Sequence, residues 1–497
     1  MITLTNVIGF FYIINVIFFN LYYKLFKALM KKKNNFDYVI IGSGPSGSVL
    51  AYQLAKSGNK IALIDRATNT KQDSNKNSFM FSPYINKSNY NYSPIFSNQL
   101  GGNSALWNCK IYLITKDEFN NDNWSFKYEE LIKYSKDLAK KFQINHNHIN
   151  KVIKYKGFKS SSSLREKKLG NIFDFLKIHS NKLITVFDNS SPIKIIYKRK
   201  RNNVSGVIIN NIIKNKEIEL SIKKSIIFCA GGLGNPNLIQ NLFHNYNKNI
   251  GKNLCDHSHI NLSTISDDAA SKIKKFSKYF ILGNNNKKEN NLFIKNKNYF
   301  GGLQLDYIED PSRILKRIYL RSQVIFSKKI LNIIISYYNL LFKIVSKLLY
   351  LFKIKNKYTF EFFFSQKKTN KNFIKINKAT RDIYGLHKSD INWKLSKSDK
   401  KNYQKIIDIV KTIFLQKKSS KDKFLEHRIF TGLHPSCTTI STKNKNTACV
   451  DKNLKLINFK NVYICGSSVF SGNGFTNPTW TIMTLANRLS SYLKKNY

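Results

Sequence analysis

The chain has 497 residues, of which 42% are hydrophobic and 13% aromatic, a composition that excludes intrinsically disordered and fibrous proteins. This length is enough for two or three domains with sizeable cores. Lys and Arg number 83 and Asp and Glu 29, so the formal net charge is +54. Either A- and T-rich codon usage or selection for an anionic partner explains the excess. Because the lysines are scattered and no known nucleic-acid module occurs, we favour codon usage and predict no nucleic-acid partner.

Two stretches of the chain are apolar enough to contact a membrane. Residues 1–23 carry no charge and are followed by lysines at positions 24, 27 and 31–33. Because a span needs about 20 apolar residues, we predict an N-terminal apolar helix that anchors the chain with its bulk on the cytoplasmic side of a membrane. The alternative is an apolar extension that packs on the protein or lies in the membrane interface, and the protein is then cytoplasmic or on the cytoplasmic side of a membrane. Residues 330–352 form an amphipathic pattern, which suits either a membrane interface or a helix packed on the protein.

A strand, a glycine-rich turn, a helix and a second strand are predicted over residues 37–64. The apolar run 37–41 indicates a buried strand, residues 48–57 a helix and residues 60–64 the next strand. Between the first two elements lies Gly42-Ser43-Gly44-Pro45-Ser46-Gly47, the spacing of a dinucleotide-binding turn. The three glycines permit a tight turn, close approach of a pyrophosphate and helix–strand packing. Asp65, with Arg66 beside it, ends the second strand, where an acid accepts hydrogen bonds from a ribose.

The rest of the chain mixes short strands and helices. A helix is predicted over residues 124–142, and the four serines at 160–163 indicate a loop. Short strands are predicted at 192–197, 204–209 and 218–222, extended chain at 361–376, and a helix from about residue 398. Six cysteines without a CxxC pair indicate reduced thiols. No set of histidines has metal-ligand spacing, so we predict no metal.

Five further segments, in chain order, carry a family resemblance. They are LGGNSALW at 100–107, AGGLGNP at 230–236, IGKNLCDH at 250–257, HPSCT at 434–438, and NVYICGSSVF with NPTWTIM at 461–483. Together with the first glycine turn, this pattern resembles the glucose–methanol–choline (GMC) oxidoreductases, whose members bind FAD. The resemblance implies an α/β fold, in which a Rossmann-like FAD-binding domain is interrupted by a substrate domain containing an antiparallel sheet.

The resemblance also divides the chain into segments. Residues 36–115, 181–262 and 425–497 are expected to form three parts of the FAD-binding domain, the last with the catalytic residues. Residues 1–33 are the apolar segment, 116–180 a helical connection and 263–424 the substrate domain. The expected cofactor-binding residues are Gly42, Gly44, Pro45, Ser46, Gly47, Asp65, Arg66, Gly101, Gly102, Asn103, Ser104, Trp107, Ala230, Gly231, Gly466, Ser467, Asn477, Pro478 and Thr479.

Three positions depart from the family pattern. Cys437 stands where members usually have Gly, which puts the backbone after the expected base in question. Gly466 stands where many have Asp. Leu106 occupies the turn in which some members attach FAD through a His, and since Leu cannot make that bond, we predict non-covalent FAD.

The resemblance implies oxidation of a CH–OH group. By the match, His434 is the base, since a neutral imidazole can take the hydroxyl proton, and Asn477 assists it. His257 is expected to be structural or to lie near the FAD phosphates. The substrate is a sugar, a lipid-linked sugar or another alcohol, and the electron acceptor stays open. Because Cys437 replaces a glycine, the alternative is a catalytically inactive flavin-binding protein with a binding or structural role at the membrane.

Overall fold

The computed structural model describes most of the chain after the N-terminal segment. The described residues are 34–67, 84–86, 92, 94, 97–149, 152–155, 158–199, 202–265, 288–307, 358–415, 429–431, 433–475 and 477–497. The predicted apolar helix within 1–33 and the amphipathic stretch 330–352 both lie outside them. Within the described residues, no helix combines the length and apolar character that crossing a membrane requires.

The described residues contain seven α-helices and eighteen strands. The helices α1–α7 are Pro45–Ala55, Lys116–Asn121, Tyr128–Lys141, Ile172–Phe175, Gly231–Leu242, Lys397–Leu415 and Thr479–Asn496. The strands β1–β9 are Asn35–Ile41, Ile61–Ile64, Tyr84–Asn86, Lys110–Ile111, Val152–Tyr155, Phe158–Arg165, Ile184–Phe187, Ser190–Tyr197 and Val204–Asn211. The strands β10–β18 are Lys216–Phe228, Ser258–Ile265, Lys288–Asn296, Tyr299–Tyr307, Tyr358–Phe364, Phe373–Arg381, His387–Asn392, Ile429–Phe430 and Val462–Ile464.

The first sheet joins strands from both ends of the chain. Its order is β7-β2-β1-β10-β9-β8, and β18 also pairs with β10. The strands β7, β2, β1, β10 and β18 run parallel, whereas β8 and β9 add an antiparallel ribbon. In this register Ile41 pairs with Phe228, and Phe228 pairs with Ile464. The loops that follow β1, β10 and β18 therefore leave the sheet at the same edge, where parallel sheets bind ligands.

Helices α1, α3 and α7 pack together beside this sheet. Val49, Leu50 and Leu54, the predicted apolar face of α1, are fully buried. Helix α7 packs against both α1 and α3, and the indole of Trp480 donates to Ser135 Oγ at 2.8 Å. Burial of such a large side chain with its N–H satisfied fixes the C-terminal helix to the N-terminal part of the domain. The predicted strands, helix and glycine turn of residues 37–64 are confirmed.

The second sheet is antiparallel and has the order β17-β11-β14-β13-β12-β6-β4, with β5 paired to β6. The expected antiparallel sheet is thus present, and it also takes β4–β6 from residues before the expected substrate domain and β17 from residues after it. The predicted loop at the serines is wrong, because they lie within β6 and pair with β12. Strand formation depends strongly on partners, and here the partner is more than a hundred residues away in sequence.

A third sheet, β15-β16-β3, lies against α5. The carboxamide of Gln240 in α5 donates to the Ile374 carbonyl at 3.0 Å and accepts from the Ile376 N–H at 2.9 Å. The strands predicted within 361–376 and the helix predicted from about 398 are present as β14, β15 and α6.

Candidate active site

The glycine turn after β1 is closely packed at Gly42 and Gly47 and borders open space at Gly44. Gly42 has φ +104°, and a Cβ there would lie 2.6 Å from the Cys229 carbonyl oxygen. A Cβ on Gly47 would lie 1.8 Å from the Gly42 oxygen, whereas a Cβ on Gly44 would meet no atom within 4 Å. Pro45 begins α1, and no side chain caps this helix. Its first N–H groups therefore border an open space and are available to an anion.

Asp65 binds the glycine turn directly. Its Oδ2 accepts from the Ser43 N–H at 2.5 Å and from the Ser43 hydroxyl at 2.6 Å. Its Oδ1 accepts from the Ala67 N–H at 2.8 Å. The carboxylate expected to meet a ribose thus also holds the turn in place, and Oδ1 keeps room for a further donor.

A second glycine turn lies on the first one. Gly101 and Gly102 have φ values of +93° and +54°. The Gly101 N–H donates to Ser43 Oγ at 2.9 Å, and a Cβ on Gly102 would lie 3.2 Å from Gly44 Cα. The structure therefore brings together two of the segments that carry the resemblance, although nearly sixty residues separate them.

The residues after this turn are used within the protein. The buried Ser104 hydroxyl donates to the Gly101 carbonyl at 2.6 Å and accepts from the Ile172 N–H at 3.1 Å. The Trp107 indole donates to the Gly170 carbonyl, and Asn103 is exposed. Ser104 and Trp107 thus have structural partners at the positions where cofactor contacts are expected.

Arg66 faces the third sheet. Its Nε donates to Ser191 Oγ at 3.0 Å, and its Nη1 pairs with Asp382 Oδ2 at 2.8 Å. The guanidinium also lies over the Tyr384 ring. The third nitrogen, Nη2, is buried without a hydrogen-bond partner. This leaves one charged donor at the end of β2 for a ligand.

The loops after β10 and β18 complete the edge of the first sheet. Gly231 has φ +76° and no atom within 4 Å of a Cβ position. A Cβ on Gly466, at φ +141°, would lie 3.7 Å from Ser46 Oγ and 3.8 Å from Gly231 Cα. The Ala230 N–H, by contrast, donates to Asn235 Oδ1 at 2.7 Å.

Taken together, these residues fit a dinucleotide. Open space lies above Gly44 and Gly231, the N-terminus of α1 is uncapped, and one nitrogen of Arg66 is unpaired. N–H groups and a guanidinium are donors that suit phosphates. The glycine segments expected to bind FAD therefore converge, whereas Ser104 and Trp107 are engaged elsewhere.

The segment that carries His434 lies against this edge. A Cβ on Gly232, in α5, would lie 2.0 Å from the Pro435 carbonyl oxygen, so only glycine allows this approach. The Thr438 hydroxyl donates to the Gly232 carbonyl at 2.6 Å, and the Ser467 hydroxyl donates to the Pro435 carbonyl at 2.8 Å. These contacts place the expected base beside the loops after β10 and β18.

Cys437 preserves the backbone that a glycine would give. Its φ is +66°, in the left-handed region that favours glycine, and its N–H donates to the Ser467 carbonyl at 3.2 Å. The side chain is fully buried. Cys437 in place of glycine is the reason for considering an inactive protein. With Cys437 present, the segment after His434 is still hydrogen-bonded to the loop that contains Gly466 and Ser467.

His434 lies in a cluster of three histidines. Its Nδ1 is 2.5 Å from His257 Nε2, and its backbone N–H donates to Asp256 Oδ1 at 3.2 Å. The His259 ring centroid lies 5.4 Å from that of His257 and 6.4 Å from that of His434. His257 and His259 are buried, and His434 is partly buried.

Two histidines of this cluster, His434 and His257, are uncharged near pH 7. Burial first, and then the proximity of His259, lowers the pKa of His434 to about 3. Burial first, and then the neighbouring His434 and His259, lower the pKa of His257 well below its usual range. A neutral imidazole can accept a proton. His434 and His257 therefore each have an unprotonated ring nitrogen.

His257 makes a contact that the sequence does not indicate. Its ring, expected to be structural or to lie near the FAD phosphates, meets the ring of the expected base. Two histidines two residues apart share one face of a strand, which was the available signal, but only the fold shows that His434 meets them. The three ligand atoms lie within 4.8 Å, a spacing that can hold a metal ion. In this structure the contact of 2.5 Å between His434 Nδ1 and His257 Nε2 is a hydrogen bond.

Asn477 lies directly before α7, whose N-cap is Pro478. Asn477 and Thr479 are partly buried, and Pro478 is buried. No hydrogen bond joins the Asn477 side chain to His434 among the described residues. The loop that leads to it is held by the buried Glu118, which accepts from the Phe475 N–H at 3.2 Å.

Comparison with known proteins matches two segments to families. Residues 368–486 match the family model described as GMC oxidoreductase, and residues 40–77 match an NAD(P)-binding Rossmann-like domain. The sequence matches no curated protein significantly.

Solved structures have a similar fold. A formate oxidase superposes with a TM-score of 0.59 at 12% identity, over 93% of this chain and 99% of its own. A pyridoxine 4-oxidase from Mesorbium loti gives a TM-score of 0.57 at 12% identity with the same coverage. A variant formate oxidase from Aspergillus oryzae RIB40, studied for its FAD modification, gives 0.58 at 13% identity, also over 93% and 99%. The resemblance to the GMC oxidoreductases that the sequence motifs indicate is therefore confirmed, by the family match in the C-terminal part and by the fold over nearly the whole chain.

Proposed function

We propose that the chain is an FAD-dependent oxidoreductase that oxidises a CH–OH group. The observation that carries this proposal is the placement of a neutral imidazole, His434, beside the edge at which the open glycine segments converge. Gly42, Gly44, Gly101, Gly231 and Gly466 line that edge. When bound, FAD supplies the acceptor for the hydride that leaves the substrate carbon.

The proton is removed by His434. Loss of the hydroxyl proton makes the carbon a stronger hydride donor, so a base at the hydroxyl accelerates oxidation. Burial keeps His434 uncharged and able to accept that proton. Asn477 is proposed to donate its amide N–H to the alcohol oxygen, since an amide orients the hydroxyl without competing for the proton.

FAD is proposed to bind non-covalently. Leu106 is partly buried in the second glycine turn and has no nucleophilic atom. Mild acid precipitation of the yellow protein should therefore leave all flavin in the supernatant. Flavin that stays with the precipitated chain would contradict this part of the proposal.

The substrate class is proposed from the chemistry and the neighbours together. The solved relatives are named as oxidases of formate and of pyridoxine, both small polar molecules. We propose a sugar, a lipid-linked sugar or another alcohol as the donor. An anaerobic screen of soluble sugars, polyols and long-chain alcohols, read by loss of the yellow flavin absorbance, would identify it.

The role of His434 is tested in the same assay. His434→Asn should keep bound flavin and slow its reduction by about 10²- to 10⁴-fold. His244→Asn, a change at an exposed histidine remote in sequence, is the control and should leave the rate unchanged. Equal rates in wild type and His434→Asn would refute the role of the base. A yellow protein that no alcohol in the screen bleaches would instead support the inactive flavin-binding alternative.

A further inference from the structure

Two short segments hold the proposed base at two points. The backbone of Cys255 donates to and accepts from that of Ser436, at 3.1 and 2.9 Å. This antiparallel bridge sets the next residues opposite each other, so that Asp256 binds the backbone N–H of His434 and His257 meets its ring. The backbone N–H of Asp256 is itself bound by Gln366 Oε1 at 3.1 Å. The bridge therefore fixes the backbone of His434 and places the ring of His257 against the ring of His434.

The 2.5 Å contact between His434 Nδ1 and His257 Nε2 contains one proton. If His434 donates it, the Nε2 atom of His434 carries a lone pair. If His257 donates it, Nε2 of His434 carries a hydrogen and cannot act as a base. The two arrangements are the two tautomers of a neutral histidine pair.

The role of His434 as the base decides between them. A base at the substrate hydroxyl needs an unprotonated Nε2, so the shared hydrogen belongs to Nδ1 of His434 and Nε2 of His257 accepts it. In that arrangement the hydrogen of His257 lies on its other nitrogen, Nδ1, which is buried.

We propose that His257 is a positioning residue which accepts a hydrogen bond from His434 Nδ1–H and thereby keeps the Nε2 lone pair of His434 available to the substrate hydroxyl. This inference rests on the proposed function, in which His434 is the base. In the step, the hydroxyl proton moves to His434 Nε2 while the Nδ1 proton stays shared with His257. The positive charge that forms is then distributed over two rings rather than one.

The matched variants are His257→Phe and His257→Gln. Phenylalanine keeps a ring of similar size without a nitrogen, whereas the Gln Oε1 can occupy the place of Nε2 and accept the same hydrogen bond. A base in the wrong tautomer lowers the rate of the proton step and not the binding of substrate. Using the alcohol that bleaches the flavin fastest in the screen, we expect His257→Phe to lower the limiting rate of flavin reduction about 10- to 1,000-fold. The half-saturating alcohol concentration should change less than about threefold, and His257→Gln should recover most of the rate.

A second readout is independent of turnover. Protein labelled with ¹⁵N-histidine should show His434, assigned by its loss in His434→Asn, with a protonated Nδ1 and an unprotonated Nε2. The Nε2-protonated form should appear in His257→Phe. Because the first observation needs only wild type and His434→Asn, the test survives if His257→Phe fails to fold.

Four results would overturn the proposal. They are an unchanged limiting rate in His257→Phe, equal loss in His257→Gln and His257→Phe, an Nε2-protonated His434 in wild type, and a stoichiometric zinc or copper ion that is lost in His257→Phe. A failure of the proposed function gives a different result, because the flavin of His434→Asn would then be reduced as fast as that of wild type. The ¹⁵N signals would still report the contact between His434 and His257. Slow reduction in His434→Asn with normal reduction in His257→Phe would remove only the positioning role.

Discussion

Cys437 carries a side chain in a conformation that suits glycine. Its φ of +66° brings Cβ close to the following carbonyl, which costs about 1 kcal/mol for a residue other than Gly. The fully buried thiol offsets part of that cost.

Two substitutions separate these effects. Cys437→Gly and Cys437→Ala both remove the thiol, but only glycine relieves the backbone. We expect Cys437→Gly to be the more stable of the two by about 1 kcal/mol in urea unfolding, the reverse of their order in a helix. A Cys437→Ala protein at least as stable as Cys437→Gly would show that the left-handed conformation carries no cost here.

His434 makes the stability of the fold depend on pH. Its pKa is lowered to about 3 in the folded protein, against about 6.5 when unfolded. Above pH 6.5 both states are neutral and this group changes nothing. As pH falls from 6.5 towards 3, the unfolded chain binds a proton that the folded protein does not, so stability is lost.

The comparison of wild type with His434→Asn isolates this contribution. Between pH 7 and pH 5, wild type should lose up to about 2 kcal/mol more than the variant. Removal of His434 also takes away one of the causes that lower the pKa of His257, which changes the difference in the same direction. Identical pH dependence in the two proteins, measured by urea unfolding, would mean that His434 titrates normally.

Glu118, in the short helix α2, binds both the start of that helix and the loop before Asn477. In the capping box of α2, its carboxylate accepts from the Thr115 N–H and hydroxyl at 2.9 and 2.8 Å and from the Tyr112 hydroxyl at 3.1 Å. The same carboxylate accepts from the Phe475 N–H in the loop before Asn477. One buried acid thus caps a helix and fixes the entry to α7.

Removal of Glu118 should therefore lower both the stability of the fold and the rate of flavin reduction. Glu118→Ala leaves several buried donors unpaired, and we expect a loss of about 3 kcal/mol in stability together with slower flavin reduction. Glu129→Ala is the matched control in α3, because that glutamate is exposed, its ion pair with Lys116 is exposed too, and its removal should change the unfolding midpoint little. Similar midpoints for the two variants would contradict the role of Glu118.

Helices and strands could be predicted from sequence where a few neighbouring residues determine them. The alternation of glycine turn, strand and helix in residues 37–64 predicts β1, α1 and β2, since burial and φ requirements repeat over a few residues. The serines of β6 could not be predicted as strand, because their partner β12 lies more than a hundred residues away. His434 could be predicted because its motif is local in sequence. Its contact with His257 could not, because that contact depends on a bridge between distant segments.

At the scale of the whole molecule, the proposed cofactor site is assembled from four distant segments. The turns after β1 and β10, the loop after β18 and the second glycine turn meet only in the folded protein. A ligand that binds there has no site in the unfolded chain. Its binding free energy therefore adds to the stability of the fold, by about 2.7 kcal/mol at a concentration one hundred times Kd.

Two glycines of one turn distinguish binding from folding. A Cβ on Gly44 meets no protein atom within 4 Å, so Gly44→Ala should leave the unfolding midpoint of the flavin-free protein unchanged. The same Cβ enters the space proposed for the pyrophosphate, so the increase in midpoint on addition of FAD should be reduced or lost. Gly47→Ala should instead destabilise the flavin-free protein, because its Cβ would lie 1.8 Å from a backbone oxygen. If FAD stabilises Gly44→Ala as much as wild type, the dinucleotide lies elsewhere and the edge of the first sheet is not its site.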